Sequence, residues 1–423
     1  MGLRSPTGEI QIPNLDHLHA LKWHTLECEL VTPMYGGGVE AATIDLKMPI
    51  RVSAIKGQLR FWWRLLAKHK WKLGNSKAIQ NAEFALWGGM GDDDGGRASQ
   101  VFLKVKNVSK PKLERWAEYR PNARGRDTLY PERWANVPYA LFPAQGRTQE
   151  NPLEEPHELL REGLKWDLQV AFSAQITDEQ KMQFWQTLKW WSSFGGVGAR
   201  TRRGLGAVLV EDSVGEIFKV SKEEAISIGC QICSKPANNA YSAWEHSVNK
   251  LQAFRQIGEG RKSYDTRSKW SEPDAIRFHT KQSLPRHSER LTLGNIFPRA
   301  AFGLPIIFKF KDEGRTSNND PIKTTLNIKR NTTDGLELLR FSSPLILRPY
   351  LNDMGNWESM ALCLPNTLLD ILERDNSLEL RLNDYKVVHW DKEKAIDGEF
   401  KHEVRQFEKS YDNQQAEQIS LMV

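Results

Sequence analysis

The chain has 423 residues, with 59 Lys and Arg against 53 Asp and Glu, a formal net charge of +6 and 39% hydrophobic residues. Four cysteines over that length exclude a disulfide framework and fit a reducing compartment. No apolar run has the length of a membrane span and no basic-then-apolar leader opens the sequence, so a soluble, cytoplasmic protein of two or three domains with no membrane partner is expected.

The first predicted strand covers residues 24–31 and runs into Thr32-Pro33-Met34-Tyr35-Gly36-Gly37-Gly38. A second short strand is predicted at residues 42–46. Residues 53–68 form an amphipathic helix, with Ser53 placed as N-cap and Ile55, Leu59, Trp62, Trp63 and Leu66 on the apolar face. Lys56, Arg60, Arg64 and Lys68 repeat every four residues on another face. Such a stripe is ordinarily a solvated face. Here no acid occurs between Leu46 and Ala82 to pair with it, and the helix starts beside Gly36, Gly37 and Gly38, where free backbone amides favour anions. Ser53, Lys56 and Arg60 are therefore candidate phosphate contacts.

A strand is predicted at residues 101–108, after the Asp92-Asp93-Asp94-Gly95-Gly96 loop. Residues 109–163, rich in Pro, Gly, Arg and Glu, read as an irregular insertion. A strand follows at residues 166–174. Thr177 and Gln180 then form a capping box that opens a helix reaching Phe194. The succession of strand, helix, strand, insertion, strand, helix, loop and strand predicts an α+β unit of ferredoxin-like type, an antiparallel sheet with helices on one face.

The loop before the last strand, residues 195–206, holds five glycines and Arg200, Arg202 and Arg203, with no acid between Trp185 and Val210. Glycines permit positive φ and close backbone approach, and guanidinium forks match phosphate oxygens. Neither the Lys-Ser/Thr ending of a P-loop nor a GxGxxG dinucleotide pattern is present, so the motif predicts a polyanion cradle rather than a nucleotide site. The plain alternative is a tight helix-to-strand turn that carries surface arginines.

In the second half, a helix is predicted at residues 243–257, then a long basic loop. Strands are predicted within 300–310, at 336–342 and at 344–351, the last broken by proline, and a helix at 368–374. The end beyond Asp391 is charged and Gln-rich. Basic residues outnumber acids between Lys250 and Arg299, which again suits a polyanion partner.

Catalytic signals are weak. Cys230 and Cys233 form a lone CxxC with Cys28 and Cys363 remote and only His246 near, so no metal and no cofactor is expected. His24, His279 and His287 lack a partner that would make a general base, and the Asp92 to Asp94 cluster reads as solvated carboxylates.

The glycine-arginine loop, together with Thr32 to Gly38, Arg51 to Arg64 and Leu86-Trp87-Gly88-Gly89, resembles the RAMP superfamily of CRISPR-associated proteins. The likeness is to first subunits of type III-B (Cmr) RNA-guided effectors. Further similar segments are Ser268 to Arg277, Pro298 to Pro305 and Ser342 to Leu345. The resemblance implies two ferredoxin-like (RRM-like) domains, expected at 20–213 with its insertion near 109–163 and at 214–423 with a basic inserted loop near 255–295. It implies a non-catalytic, RNA-binding subunit that contacts guide RNA and the guide–target duplex near the guide's 3′ end, beside other RAMP subunits. Sequence reading would be left to base pairing. The RNA contacts expected on this basis are Gly36, Gly37, Gly38, Ser53, Lys56, Arg60, Gly196, Gly198, Arg200, Arg202 and Arg203, with Arg267, Trp270, Arg277 and Lys281 on a clamping loop. The rival expectation is an endoribonuclease, metal-independent or dependent on Asp45, since another RAMP subunit cleaves with an aspartate in a comparable early region.

Overall fold

The computed structural model describes residues 21–89, 96–146, 154–256, 270, 272–285, 297–314, 316–332, 335–365, 376–382 and 385–390. Strand β1 (His24–Leu30) alternates exposed and buried positions, as a sheet with one covered face requires. The chain continues through α1 (Val52–His69), α2 (Ser76–Trp87) and β2 (Val101–Lys106). Within the insertion lie β3 (Leu113–Arg115), β4 (Ala117–Pro121), β5 (Asp127–Pro131), the short α3 (Pro138–Leu141) and β6 (Glu158–Leu160). Then come β7 (Lys165–Phe172), α4 (Asp178–Phe194) and β8 (Val208–Glu211).

The four long-range strands form a sheet in the order β2-β7-β1-β8, every neighbouring pair antiparallel. That order, with α1 and α4 as the two crossovers, is the ferredoxin-like arrangement predicted from the sequence. The helices cover one face and bury Trp62, Trp63, Trp190 and Trp191 between them, with the Trp62 and Trp190 rings 5.9 Å apart.

Three local expectations are corrected. Residues 42–46 form an irregular loop rather than a strand. The helix begins at Val52 with Arg51 in the cap position, and Ser53 lies exposed in the first turn without capping it. The described part of residues 109–163 is structured: β3 pairs with β6 and β4 with β5, and Trp116, Trp134 and Leu159 share a core with Trp244 and Leu347 of the second half.

That half contains α5 (Lys222–Ser227), β9 (Gln231–Pro236), α6 (Ala240–Gln256), α7 (Glu272–Thr280), β10 (Ile306–Phe308), β11 (Glu313–Gly314), β12 (Asp320–Pro321), β13 (Thr324–Thr332) and β14 (Gly335–Leu339). After these come β15 (Leu345–Leu351), β16 (Trp357–Cys363), β17 (Asn376–Leu382) and β18 (Tyr385–Trp390). The order β15-β16-β9, with α6 packed on it, repeats β2-β7-β1 with α1, so the second ferredoxin-like unit is present in its strand–helix–strand–strand part. Strands β17 and β18 extend a separate sheet with β10 and β13, on which β14 also pairs. The predicted helix at 368–374 and the tail beyond Asp391 lie outside the described residues. Strand β15 is not broken by Pro349. It is an edge strand of its sheet, where the missing amide costs no ladder bond.

The two units share their cores. Ile346 and Tyr350 on one face of β15 join the first unit's cluster, while Leu345 and Leu347 on the other face join that of the insertion and α6.

Candidate nucleic-acid interface

The two glycine loops meet in space. Ala199 N donates to Tyr35 O at 2.7 Å, Gly206 N to Pro33 O at 2.8 Å, and Thr32 Oγ1 to Gly204 O at 2.6 Å. The Arg51 guanidinium donates to the carbonyls of Gly37 and Gly38, tying that loop to the start of α1. Gly36 to Gly38, Ser53, Lys56, Gly198 and Arg200 are thereby brought into one contiguous region, with Arg51 as the organiser that the motif reading missed. The first turn of α1 holds no acid, and a Cβ added at Gly57 would meet nothing within 4 Å, so this end of the helix is open. Burial, and then the neighbouring Arg60, push the Lys56 pKa down.

Packing explains the glycines of the second loop. Gly196 is buried, and a Cβ there would lie 2.5 Å from Gly206 O, so its role as a surface cradle is corrected to one of close backbone packing. Gly206 has φ +65°, and its Cβ would lie 1.9 Å from Val197 O. Gly206→Ala should therefore cost at least about 2 kcal/mol, since both backbone strain and the clash must be relieved. Urea unfolding of the variant checks this, and a loss below about 0.5 kcal/mol would contradict it.

The three loop arginines separate by role. Arg203 donates to Arg202 O and to Leu345 O, each at 3.0 Å, and Arg202 donates to Ser343 O while lying 5.2 Å over the Phe61 ring. These two guanidinium groups hold the loop to the second half, which corrects the expectation that both are turned to phosphates. Arg200 differs. Its backbone is left-handed (φ 59, ψ 29), its Nε is buried, and among the described residues its guanidinium has no hydrogen-bond or ion-pair partner. Burial pushes its pKa down, Tyr139 and Tyr35 oppose that, and Arg255 adds to it. Arg255, in the last turn of α6, donates to Tyr139 Oη at 3.1 Å. Burial and then Arg255 also push Arg203 down. Among the described residues no carboxylate figures among the charges acting on Arg200 or Arg203, and Arg255 adds a further cation beside them. Arg255 carried no sequence signal beyond being one cation at a helix end.

Other expected contacts are engaged elsewhere. Arg60 and Arg64 share Glu83 of α2, each at 2.6 Å; this acid stands one residue past the acid-free stretch. Two guanidiniums on one carboxylate leave one surplus charge. Trp270 is buried against Phe254, with Nε1 donating to Arg255 O at 3.3 Å, so it is a core residue rather than a stacking platform. Arg277 grips Asp320 with two bonds of 2.9 Å and Asp274 with a third of 2.9 Å, which removes it from a clamp. Lys281 is exposed beyond the end of α7. Arg267, His287, Asp92, Asp93, Asp94 and the side chain of His279 lie outside the described residues. His24 packs edge-on against Trp185 at 5.5 Å. Asp45 Oδ1 accepts from the amides of Lys47 and Met48 at 2.9 and 3.2 Å, closing its own turn.

One row across the open face of the first sheet is acidic. Cross-strand register sets Glu211, Glu27, Asp167 and Lys106 side by side, so three neighbouring carboxylates meet one cation. Among the described residues no helix is long and apolar enough to cross a membrane.

Residues 27–209 match the family model of the RAMP superfamily. The apo crystal structure of Cmr1 from Pyrococcus furiosus is similar at 15% identity over 81% of this chain and 87% of that chain, with a TM-score of 0.43. A chain of the cryo-EM structure of the Type III-B Cmr-beta bound to cognate target RNA is similar at 12% identity over 86% and 95%, with a TM-score of 0.45. Cmr6 from Pyrococcus furiosus is similar at 15% identity over 45% of this chain and 98% of its own, with a TM-score of 0.25. No curated protein matches the sequence.

Proposed function

We propose that this chain, whose residues 27–209 belong to the RAMP superfamily, is a non-catalytic RNA-binding subunit of a type III-B (Cmr) CRISPR effector. In this reading two ferredoxin-like domains, residues 20–213 and 214–423, sit beside other RAMP subunits and hold the backbone of guide RNA and guide–target duplex near the guide's 3′ end. The observation that carries it is the Arg200–Arg203–Arg255 cluster, on whose Arg200 and Arg203 no carboxylate acts among the described residues, and which Ala199–Tyr35 and Arg51–Gly37 bonds join to the open first turn of α1. Cations and helix amides hold phosphates whatever the base, which suits a protein that leaves sequence to base pairing. The clamp narrows from the expected set to Arg200, Arg255, Ser53, Lys56 and the backbone of Gly36 and Gly37, with Lys281 as an outlying contact; the Gly38 amide is taken by Thr43 O.

Incubating purified chain with end-labelled single-stranded RNA across a salt series, and resolving bound from cleaved species, tests this. Intact RNA is expected, bound more tightly than matched DNA and released steeply as salt rises. Discrete cleavage that disappears in Asp45→Asn would replace the reading with the nuclease.

A further inference from the structure

A cleft of about 680 Å³ opens beside the first glycine loop, between residues 41–44 on one side and Pro143, Gly146 and residues 154–158 on the other. Ile44, Leu113 and Pro143 line it with apolar surface, and Glu154 and Glu158 with carboxylates. One wall is fixed in place: Tyr35 Oη donates to Pro143 O at 2.9 Å and lies 3.0 Å from His157 Nδ1, while His157 Nε2 lies 3.0 Å from Glu154 Oε1. The Tyr35 and His157 rings stack with centroids 5.9 Å apart. Tyr35 also joins the cleft to the arginine cluster, because its main chain pairs with Ala199, the residue before Arg200.

Among the described residues that line the cleft there are two carboxylates and no Lys or Arg, a charge that disfavours a phosphate. It is larger than one amino-acid side chain needs, and sets the apolar Ile44, Leu113 and Pro143 beside the acceptors of Glu154 and Glu158. Resting on the RNA-binding reading above, we infer that the cleft takes one extruded nucleobase of the RNA whose phosphates lie on Arg200 and Arg255, and that it prefers guanine. Guanine presents two adjacent N–H donors on its pairing edge, which a carboxylate accepts as a pair. Uracil flanks its single N–H with carbonyl oxygens that carboxylates repel. Single-stranded RNA is commonly read in this way, by splaying a base onto a ring and bonding its edge. The subunit would thus add one base preference to binding that is otherwise blind to sequence.

The test measures affinity of the full chain for oligouridylates that carry one central guanosine, adenosine, cytidine or abasic site, in wild type, Glu158→Gln and Arg200→Gly. The guanosine oligomer is expected to bind about tenfold tighter than plain oligouridylate, with that preference lost in Glu158→Gln. Arg200→Gly should weaken all oligomers alike. Equal affinities that still depend on Arg200 would overturn the base site and leave the RNA-binding reading standing. Absence of RNA binding in any variant, wild type included, would overturn both. Binding of a Lys-rich peptide that is lost in Glu158→Gln, with equal affinities for the RNAs, would assign the cleft to a basic protein segment instead.

Discussion

Arg348→Ala is expected to lower the stability of the chain by about 4 kcal/mol. Arg348 lies on β15, is 4% exposed, and has no carboxylate partner among its bonds. Its Nη1 donates to Gly195 O at 2.7 Å, Nη2 to Val208 O at 3.2 Å, and Nε to Pro349 O at 3.0 Å. Gly195 ends α4 and Val208 begins β8, so one side chain from the second unit satisfies carbonyls at both ends of the first unit's glycine loop. Burial pushes its pKa down to about 9, still above neutral, so the guanidinium remains charged in the cell. Removing it leaves buried carbonyls without donors and a cavity in place of the side chain. Arg348→Lys should recover only part of the loss, because one ammonium cannot span three acceptors set apart by the planar fork. Denaturant unfolding measures both variants. A loss below about 1 kcal/mol for Arg348→Ala would contradict its role as the tie between units.

Arg200→Gly, combined with Arg255→Gln, is expected to weaken RNA binding by about a hundredfold near physiological salt and to lower the salt slope by about two units, one for each lost phosphate contact. The loss should be similar for every RNA sequence. Arg200→Gly alone should leave the fold intact or stabilise it by about 1 kcal/mol, since glycine relieves the left-handed backbone and removes a desolvated cation. Stability and binding thus move in opposite directions, an outcome that a purely structural arginine would not give. A variant that loses both together would assign Arg200 to the fold.

Much of the first unit was legible because its signals are local. β1 alternates, α1 carries a clean apolar stripe, and the Thr177–Gln180 capping box marks the start of α4. The insertion was not legible because Trp116 and Trp134 find their partners in Trp244 and Leu347, far along the chain, so no local period betrays them. β15 reads poorly for a related reason: both its faces are buried, which erases alternation. At the site, position was easier to read than role. The sequence identifies the glycine-arginine loop, but a guanidinium aimed at a carbonyl and one aimed at a phosphate have the same spelling. Only the fold separates Arg202 and Arg203, which bind Ser343 and Leu345 carbonyls, from Arg200, which has no such bond among the described residues. Likewise the pairing of Arg60 and Arg64 with Glu83 required knowing that α2 folds back on α1.

The most direct measurement is ultraviolet crosslinking of the chain to RNA followed by mass spectrometric mapping of the attached peptides. Crosslinks are expected in the peptides that hold Tyr35, Tyr139 and residues 196–203, around the cluster of Arg200 and Arg255. Crosslinks confined to β1 and β7 on the open sheet face, or to residues 272–281, would contradict an RNA path across the paired glycine loops.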